Sequence, residues 1–133
     1  MPIKDIMVKN VVTADPNEPI ESIIEKFYSK NIGCVIITEN EKILGIITDR
    51  DIAIRGLGKS SKIPVKEIMT TKIVTATEEE GIFNLTKKFR NYGIRRIPIV
   101  DKSGELKGII SIDDILELLA TEFANLAGAI RSL

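Results

Sequence analysis

The stretch GIITDRDI at residues 45–52 returns as GIISIDDI at residues 108–115, 63 positions later. In each copy a β-branched run passes through a hydroxyl residue and an aspartate, which is typical of a buried strand that ends where a helix begins. Upstream, PIKDIM at 2–7 returns as PVKEIM at 64–69, 62 positions later. The chain therefore consists of two copies of one supersecondary unit.

The hydrophobic pattern within each copy predicts the order β-α-β-β-α. Short β-branched runs predict a first strand at 11–13 and again at 73–75. Apolar side chains at i, i+3, i+4 and i+7 predict the helix that follows; in the first copy they are Ile20, Ile23, Ile24 and Phe27. Asn31 and Gly93 follow these helices and tolerate the left-handed conformation that ends many helices. We expect an α+β fold with repeat 1 and its linker at 1–62, and repeat 2 with an extended C-terminal helix at 63–133.

The composition excludes several classes of function. Nineteen Lys and Arg balance nineteen Asp and Glu, so no overall charge favours nucleic acid or an anionic membrane. Histidine is absent and Cys34 is the only cysteine, which excludes histidine bases, ordinary zinc sites and an internal disulfide. We find no nucleophile–base pair, and we expect a protein that is not an enzyme and binds no metal. No apolar run is long enough to span a membrane, and the chain is expected to be soluble and cytoplasmic.

These motifs together resemble the CBS domain. The resemblance rests on Gly-Ile-Ile-Thr/Ser-x-x-Asp-Ile in both copies, the strand RIPIVD at 96–101, and the opening Ile-Met followed by Val-Thr-Ala. It covers residues 2–119, and two tandem copies resemble the Bateman module. The resemblance implies that the repeats pack through their sheets with pseudo-twofold symmetry and form two clefts for adenosine ligands such as AMP, ADP, ATP or S-adenosylmethionine. It also implies a homodimer.

The motifs Thr48-x-x-Asp51 and Ser111-x-x-Asp114 lie where a strand passes into a helix. Unpaired N–H groups at a helix start attract phosphate, and the hydroxyl of Thr48 or Ser111 can add a hydrogen bond. The carboxylate of Asp51 or Asp114 would accept the hydroxyls of a ribose. The alternative is a capping box, which satisfies two backbone donors with no ligand. The motif alone favours the cap, whereas the resemblance favours the ligand.

Arg95 and Arg96 stand at the start of an apolar strand, where adjacent side chains face opposite sides. The resemblance implies that each cleft joins the corner of one copy to strand residues of the other. Arg96 would then serve the cleft of Asp51 as a phosphate clamp, and Arg95 would serve the other cleft. The alternative is that they are solvated arginines paired with Asp101 or Glu105.

The other candidate ligand-binding residues rest mainly on the resemblance. The main chain of Thr13-Ala14 and Thr75-Ala76 would read the purine edge, with ordinary strand-end packing as the alternative. Cys34 and Pro98 would line a cleft on the second strand of each copy, although Cys34 also suits a buried spectator. Arg50 would reach a polyphosphate or lie on a solvated helix face. Gly33-Cys34 replaces the two arginines in the first copy, so the clefts cannot be equivalent.

The leading hypothesis is a stand-alone regulatory module that binds an adenosyl ligand and signals occupancy to a partner protein not identified by the sequence. No cofactor is obligatory, and we expect no contact with nucleic acid or membrane. The alternative is a ligand-independent dimeric adaptor. In that reading the apolar end of the last helix, residues 123–130, binds a partner helix.

Overall fold

The computed structural model describes residues 3–133 and confirms one β-α-β-β-α unit for each repeat. The first repeat contains β1 (Thr13–Ala14), α1 (Ile20–Lys30), β2 (Cys34–Glu39), β3 (Lys42–Thr48) and α2 (Asp49–Arg55). The second repeat contains β4 (Ala76–Thr77), α3 (Ile82–Tyr92), β5 (Arg96–Val100), β6 (Leu106–Ser111) and α4 (Ile112–Arg131). A 3₁₀ turn opens each repeat, at Ile3–Asp5 and at Val65–Glu67.

Each repeat builds its own three-stranded sheet, in the order β1-β2-β3 and β4-β5-β6. The first strand runs parallel to the second, and β2 runs antiparallel to β3 with Val35 opposite Ile47. The first strand lies later than predicted, since β4 begins at Ala76, opposite Ile99, and not at Ile73. A two-residue edge strand forms only where its backbone pairs with the neighbouring strand, so β-branched content alone does not locate it.

The two predicted left-handed helix ends are confirmed. Asn31 ends α1 with φ 52° and Gly93 ends α3 with φ 62°. In each case the capping N–H donates to the carbonyl of the phenylalanine four residues earlier, Phe27 or Phe89. The chain therefore turns at once from the helix into the buried second strand.

The folded chain forms two compact units that do not coincide with the sequence repeats. The first-repeat unit comprises Asn10–Ile73 and Asp101–Lys107, and the second-repeat unit comprises the described residues up to Lys9, Val74–Val100 and Gly108–Leu133. Ile3 is fully buried in the core of the second-repeat unit, whereas Ile68 and Val65 are buried in the core of the first-repeat unit. The 3₁₀ turn that opens each repeat thus packs into the core of the other, and we call Ile3–Asp5 and Val65–Glu67 the exchanged turns.

A short backbone bridge attaches the segment that follows each exchanged turn. Thr70 and Ile46 exchange two hydrogen bonds of 2.9 Å, and Val8 and Ile109 exchange bonds of 2.9 and 3.0 Å. Beside each bridge a methionine lies on a glycine: a Cβ on Gly108 would come within 2.6 Å of the Met7 sulfur and 2.9 Å of the Val8 carbonyl. The exchanged segments therefore approach β3 and β6 closely because these strands carry glycine there.

The turn between β5 and β6 belongs to the first-repeat unit. Leu106 N–H donates to the carbonyl of Glu41 at 3.1 Å. Within the turn, one carboxylate oxygen of Asp101 accepts the Ser103 hydroxyl at 2.7 Å and the Glu105 N–H at 3.0 Å. The hydrogen bond from the Ser103 side chain, followed by that from Glu105 N–H, lowers the pKa of Asp101 to about 2.

Candidate ligand-binding site

The corner between the last strand and the last helix of each repeat holds a complete capping box. Asp51 N–H donates to the Thr48 hydroxyl at 3.2 Å, and Thr48 N–H donates to Asp51 Oδ2 at 3.0 Å. The corresponding bonds between Ser111 and Asp114 measure 3.1 and 2.9 Å. The capping alternative is therefore realised in both copies. Each cap uses only one carboxylate oxygen, so the predicted ligand role depends on what the second oxygen does.

At the first corner the polar groups are satisfied by the chain itself. Asp49 N–H donates to the Gly33 carbonyl at 3.1 Å, and Arg50 N–H donates to the Asp49 carboxylate at 2.8 Å. The prediction that the first N–H groups of this helix are unpaired is wrong for α2, because a neighbouring carbonyl and the helix's own aspartate take them.

The Asp51 carboxylate at this corner also has several donors. Oδ2 accepts the Thr48 hydroxyl at 3.1 Å, and Oδ1 accepts the Thr70 hydroxyl at 3.4 Å. The Arg55 guanidinium lies 4.0 Å from Oδ1, and it donates to the Met69 carbonyl at 3.3 Å. Sequence reasoning missed Thr70 and Arg55. The i,i+4 spacing of Asp51 and Arg55 is the only local signal for either.

At the second corner three polar groups stay available. Ile112 N–H donates to the Arg95 carbonyl at 2.9 Å, which matches the bond to Gly33 at the first corner. Within residues 3–133, however, Asp113 N–H, the Ser111 hydroxyl proton and Asp114 Oδ1 have no partner. This corner therefore combines two hydrogen-bond donors and one charged acceptor that the fold does not use.

The two predicted arginines differ in their surroundings. Arg95 is exposed and lies 3.7 Å from Asp113. The predicted alternative partners, Asp101 and Glu105, are wrong: both lie near Lys107 instead, at 3.6 and 3.9 Å. The reason is that the hydrogen bond to the Arg95 carbonyl brings the start of α4 beside this side chain.

Arg96 opens β5 and is half-buried, and its guanidinium makes no hydrogen bond or ion pair with any residue in the described part of the chain. A guanidinium without a partner in the protein is a candidate for binding an external anion. Arg50 is exposed, and its side chain likewise has no partner among the described residues. Cys34, at the position equivalent to Arg96, is half-buried at the start of β2, and Pro98 is buried within β5.

The predicted purine-reading segments are held by a duplicated ion pair that sequence reasoning missed. Lys26 Nζ donates to the Thr13 carbonyl at 3.1 Å and lies 3.0 Å from Glu18. Lys88 Nζ donates to the Thr75 carbonyl at 2.9 Å and lies 2.7 Å from Glu80. The recurrence of this pair 62 positions later was the available signal. The methyl groups of the adjacent residues belong to the cores: Ala14 is 6% exposed and Ala76 is 2% exposed.

Each glutamate of this pair also holds a backbone amide. Glu80 accepts Thr77 N–H at 2.7 Å, and Glu18 accepts Asp15 N–H at 2.8 Å. Burial raises the pKa of Glu80, but the hydrogen bonds from Lys88 and from Thr77 N–H outweigh it and leave the pKa lowered. The pKa of Glu18 is lowered in the same way against burial, chiefly by Asp15 N–H. Both carboxylates are therefore charged, and each accepts a hydrogen bond from the backbone near the end of the first strand of its repeat.

The predicted site residues divide between the two units. The first-repeat unit contains Thr13, Ala14, Cys34, Thr48, Arg50 and Asp51. The second-repeat unit contains Thr75, Ala76, Arg95, Arg96, Pro98, Ser111 and Asp114.

The last helix leaves an apolar stripe in solvent. The exposed side chains are Leu116, Leu119, Phe123, Leu126 and Ile130. Leu116 and Leu119 also border an apolar groove between α3 and α4, together with Phe89 and Ile115. No helix within residues 3–133 is both long enough and apolar enough to cross a bilayer.

Comparison with known proteins finds the same repeat. The family profile named CBS domain matches residues 3–57 and 65–121. The CBS domain-containing protein YhcV of Bacillus subtilis is 32% identical over 115 residues, which cover 85% of this chain and 81% of YhcV. The inosine-5'-monophosphate dehydrogenase of Aquifex aeolicus is 35% identical over 113 residues, 84% of this chain but 23% of the enzyme.

Among solved structures, the CBS domain pair of protein MJ0100 superposes with a TM-score of 0.82 at 32% identity. The match covers 92% of this chain and 98% of that chain. That structure is a complex with 5'-methylthioadenosine and S-adenosyl-L-methionine.

Proposed function

Because this chain belongs to the CBS domain family and carries two copies of the domain, we propose that it is a non-catalytic regulatory module for an adenine nucleotide or an S-adenosyl ligand. The observation that carries the proposal is the unused polar set of the second-repeat unit. It consists of the Arg96 guanidinium, which has no partner among the described residues, and separately of the free groups of Ser111, Asp113 and Asp114. The adenosyl ligands bound by the pair of MJ0100, at 32% identity, support the ligand class.

In this proposal each polar group has a chemical role. The carboxylates of Asp51 and Asp114 accept ribose hydroxyls, and the Ser111 hydroxyl donates to phosphate. The Thr48 hydroxyl donates to phosphate only when it gives up its bond to Asp51 Oδ2. Arg96 is the principal phosphate clamp, because a guanidinium binds phosphate in bidentate fashion. The remaining residues have the roles that the family resemblance implies. Arg50 and Arg95 bind phosphate, and Cys34 and Pro98 line the clefts. The purine is bound by the main chain of Thr13, Ala14, Thr75 and Ala76.

Signalling in this proposal is a linkage effect. A ligand that binds one arrangement of the module better than another shifts the population toward it, by no more than its difference in affinity for the two. A partner protein that recognises that arrangement then reads the ligand concentration. Homodimer formation and a cytoplasmic location are part of the same proposal.

Isothermal titration calorimetry with AMP, ADP, ATP, NAD and S-adenosylmethionine tests the ligand class. Absence of binding by all five at millimolar concentration refutes it. Arg96→Ala should weaken AMP by about 1.5–3 kcal/mol, the range for a hydrogen bond to a charged group, and leave adenosine almost unaffected. Arg90→Ala, on the exposed side of α3, is the matched control and should change neither. An equal loss for AMP and adenosine would show that Arg96 does not hold the phosphate.

A second candidate function is a ligand-independent adaptor, which the exposed stripe of α4 favours. Phe123, Leu126 and Ile130 are 75%, 67% and 71% exposed in the part of the helix that repeat 1 lacks. The two functions differ in thermal shift: ligand at a hundredfold of its Kd stabilises a binding module by about 2.7 kcal/mol and leaves an adaptor unchanged. Truncation after Leu119 should alter the oligomeric state under both.

A further inference from the structure

The carboxylate of Asp51 serves two parts of the first-repeat unit at once. Its Oδ2 caps α2, and its Oδ1 accepts the Thr70 hydroxyl at 3.4 Å. Arg55, 4.0 Å from the same oxygen, donates to the Met69 carbonyl. We call Asp51, Arg55, Thr70 and the Met69 carbonyl the Asp51 clamp. It ties the start of α2 to the segment that follows an exchanged turn.

The contacts of the Asp51 clamp with Thr70 and Arg55 can open without unfolding the protein. The Thr70 and Arg55 distances lie at the long limit of hydrogen bonding and ion pairing, so each contact is weak. The Thr70 backbone is held independently, by its two 2.9 Å bonds to Ile46. A competing donor can therefore take Oδ1 from the Thr70 hydroxyl without unfolding the segment.

The second corner has no such clamp. The positions equivalent to Thr70 and Arg55 are Val8 and Leu118, and neither side chain can donate to Asp114. Asp114 Oδ1 accordingly accepts nothing from residues 3–133, and the Ser111 hydroxyl proton is also unused. Two corners with related motifs thus differ in whether a hydroxyl of the protein already donates to the carboxylate oxygen that the cap leaves unused.

We propose that the clamp makes the two corners unequal in ligand affinity by weakening the Asp51 corner, while the phosphate contact of Arg96 also enters the order in which the corners fill. The inference rests on the proposed function and deepens it. At the Asp51 corner a ribose hydroxyl competes with the Thr70 hydroxyl for Oδ1, and the apparent affinity is multiplied by the fraction of molecules in which the clamp is open. By reciprocity, filling this corner releases the Thr70 side chain. Binding at the Asp51 corner is then the event that loosens the clamp, so the module responds to two ligand levels.

Calorimetric titration with AMP as the probe, on the full chain, tests the competition. Wild type should show two unequal sites. Thr70→Val removes the hydroxyl at constant shape and should tighten AMP binding at the Asp51 corner by about twofold, the low end of the range for one hydrogen bond, because the 3.4 Å contact is weak. Thr70→Ser keeps the hydroxyl and should match wild type. Thr71→Val, an exposed neighbour without a side-chain partner among the described residues, should also match wild type.

A background without the acceptor separates competition from direct contact. In Asp51→Ala, adding Thr70→Val should no longer tighten AMP binding. The inference is overturned if Thr70→Val leaves AMP affinity unchanged or weakens it, if its effect persists in Asp51→Ala, or if the wild type has two equal sites; the proposed function survives all three. If AMP binds the wild type at only one site and binds Thr70→Val at only one site as well, the inference is also overturned. If wild type binds neither AMP nor the other four ligands, the proposed function fails and the inference fails with it.

Discussion

Replacing Ile68 by alanine should destabilise the first-repeat unit, although Ile68 lies within the second half of the sequence. The side chain is 2% exposed and packs in the core with Ile23, Val35 and Ile47. Truncating a buried isoleucine to alanine costs about 2–5 kcal/mol through lost burial and the remaining cavity. We expect about 3 kcal/mol, because the neighbouring backbone bridge keeps the segment in place and limits repacking. That is a large share of the stability of a small domain.

Native-state hydrogen exchange read by mass spectrometry locates the loss. Ile68→Ala should lower protection most in β2 and β3, and Ile3→Ala should lower it most in β5 and β6, because each exchanged turn stabilises the core that it enters. Ile24→Ala, at a position 44% exposed on α1, is the control and should cost about 1 kcal/mol or less. The exchange of turns is refuted if Ile68→Ala deprotects β5 and β6 in preference to β2 and β3, or if residues 1–62 alone fold with full stability.

Three further predictions concern single positions. Gly108→Ala should destabilise the chain by about 1–3 kcal/mol in urea titration, because the new methyl group meets the Met7 sulfur and the Val8 carbonyl. The control Gly128→Ala has open space around it on α4 and should stabilise the chain by about 0.5–1 kcal/mol. Equal effects of the two substitutions would contradict the close approach of residues 7 and 8 to β6. Asp101 has a pKa of about 2 against an ordinary 3.8, so its stabilising effect is complete above pH 4 and is lost as the pH falls through 2. The deficit of Asp101→Ala relative to wild type should therefore vanish between pH 4 and 2, and a deficit independent of pH would show that the charge is unimportant. Lys88→Met should cost about 1–3 kcal/mol by removing the ammonium from the Glu80 carboxylate and from the Thr75 carbonyl. The exposed Lys30→Met should be neutral. A neutral Lys88→Met would show that water replaces the ammonium.

The unequal corners bear on how such a module reports concentration. Two equal sites would fill over one narrow range of ligand, whereas sites separated in affinity fill in sequence. In this chain part of the difference arises from residues outside the repeated motif: Thr70 and Arg55 in one copy are replaced by Val8 and Leu118 in the other. The rest arises within the motif, because Asp49 accepts Arg50 N–H at one corner and Ile112 takes its place at the other.

Much of the architecture follows from local chemistry. The 62- and 63-residue repeats could be deduced from self-similarity of the sequence. The apolar stripe of α1, the left-handed ends at Asn31 and Gly93, and the alternative of a capping box at Asp51 could also be deduced from it. Each of these features depends on residues within one or two helical turns of each other, where side-chain periodicity and backbone preference are decisive. The position of the first strand in each repeat depends on pairing with a strand that is distant in sequence. The β-branched pattern therefore placed the start of β4 three residues too early.

The partners of individual side chains required the folded molecule. PIKDIM and PVKEIM are nearly identical in sequence. Because apolar burial is non-directional, no local feature determines which isoleucine-rich core buries Ile3 or Ile68. The same holds for charge: Asp113 beside Arg95, and Thr70 beside Asp51, are neighbours only because a strand and a bridge bring them together. Covalent order and short-range preference thus account for the elements and their caps, while the contacts that distinguish the two strand-to-helix corners arise from long-range packing.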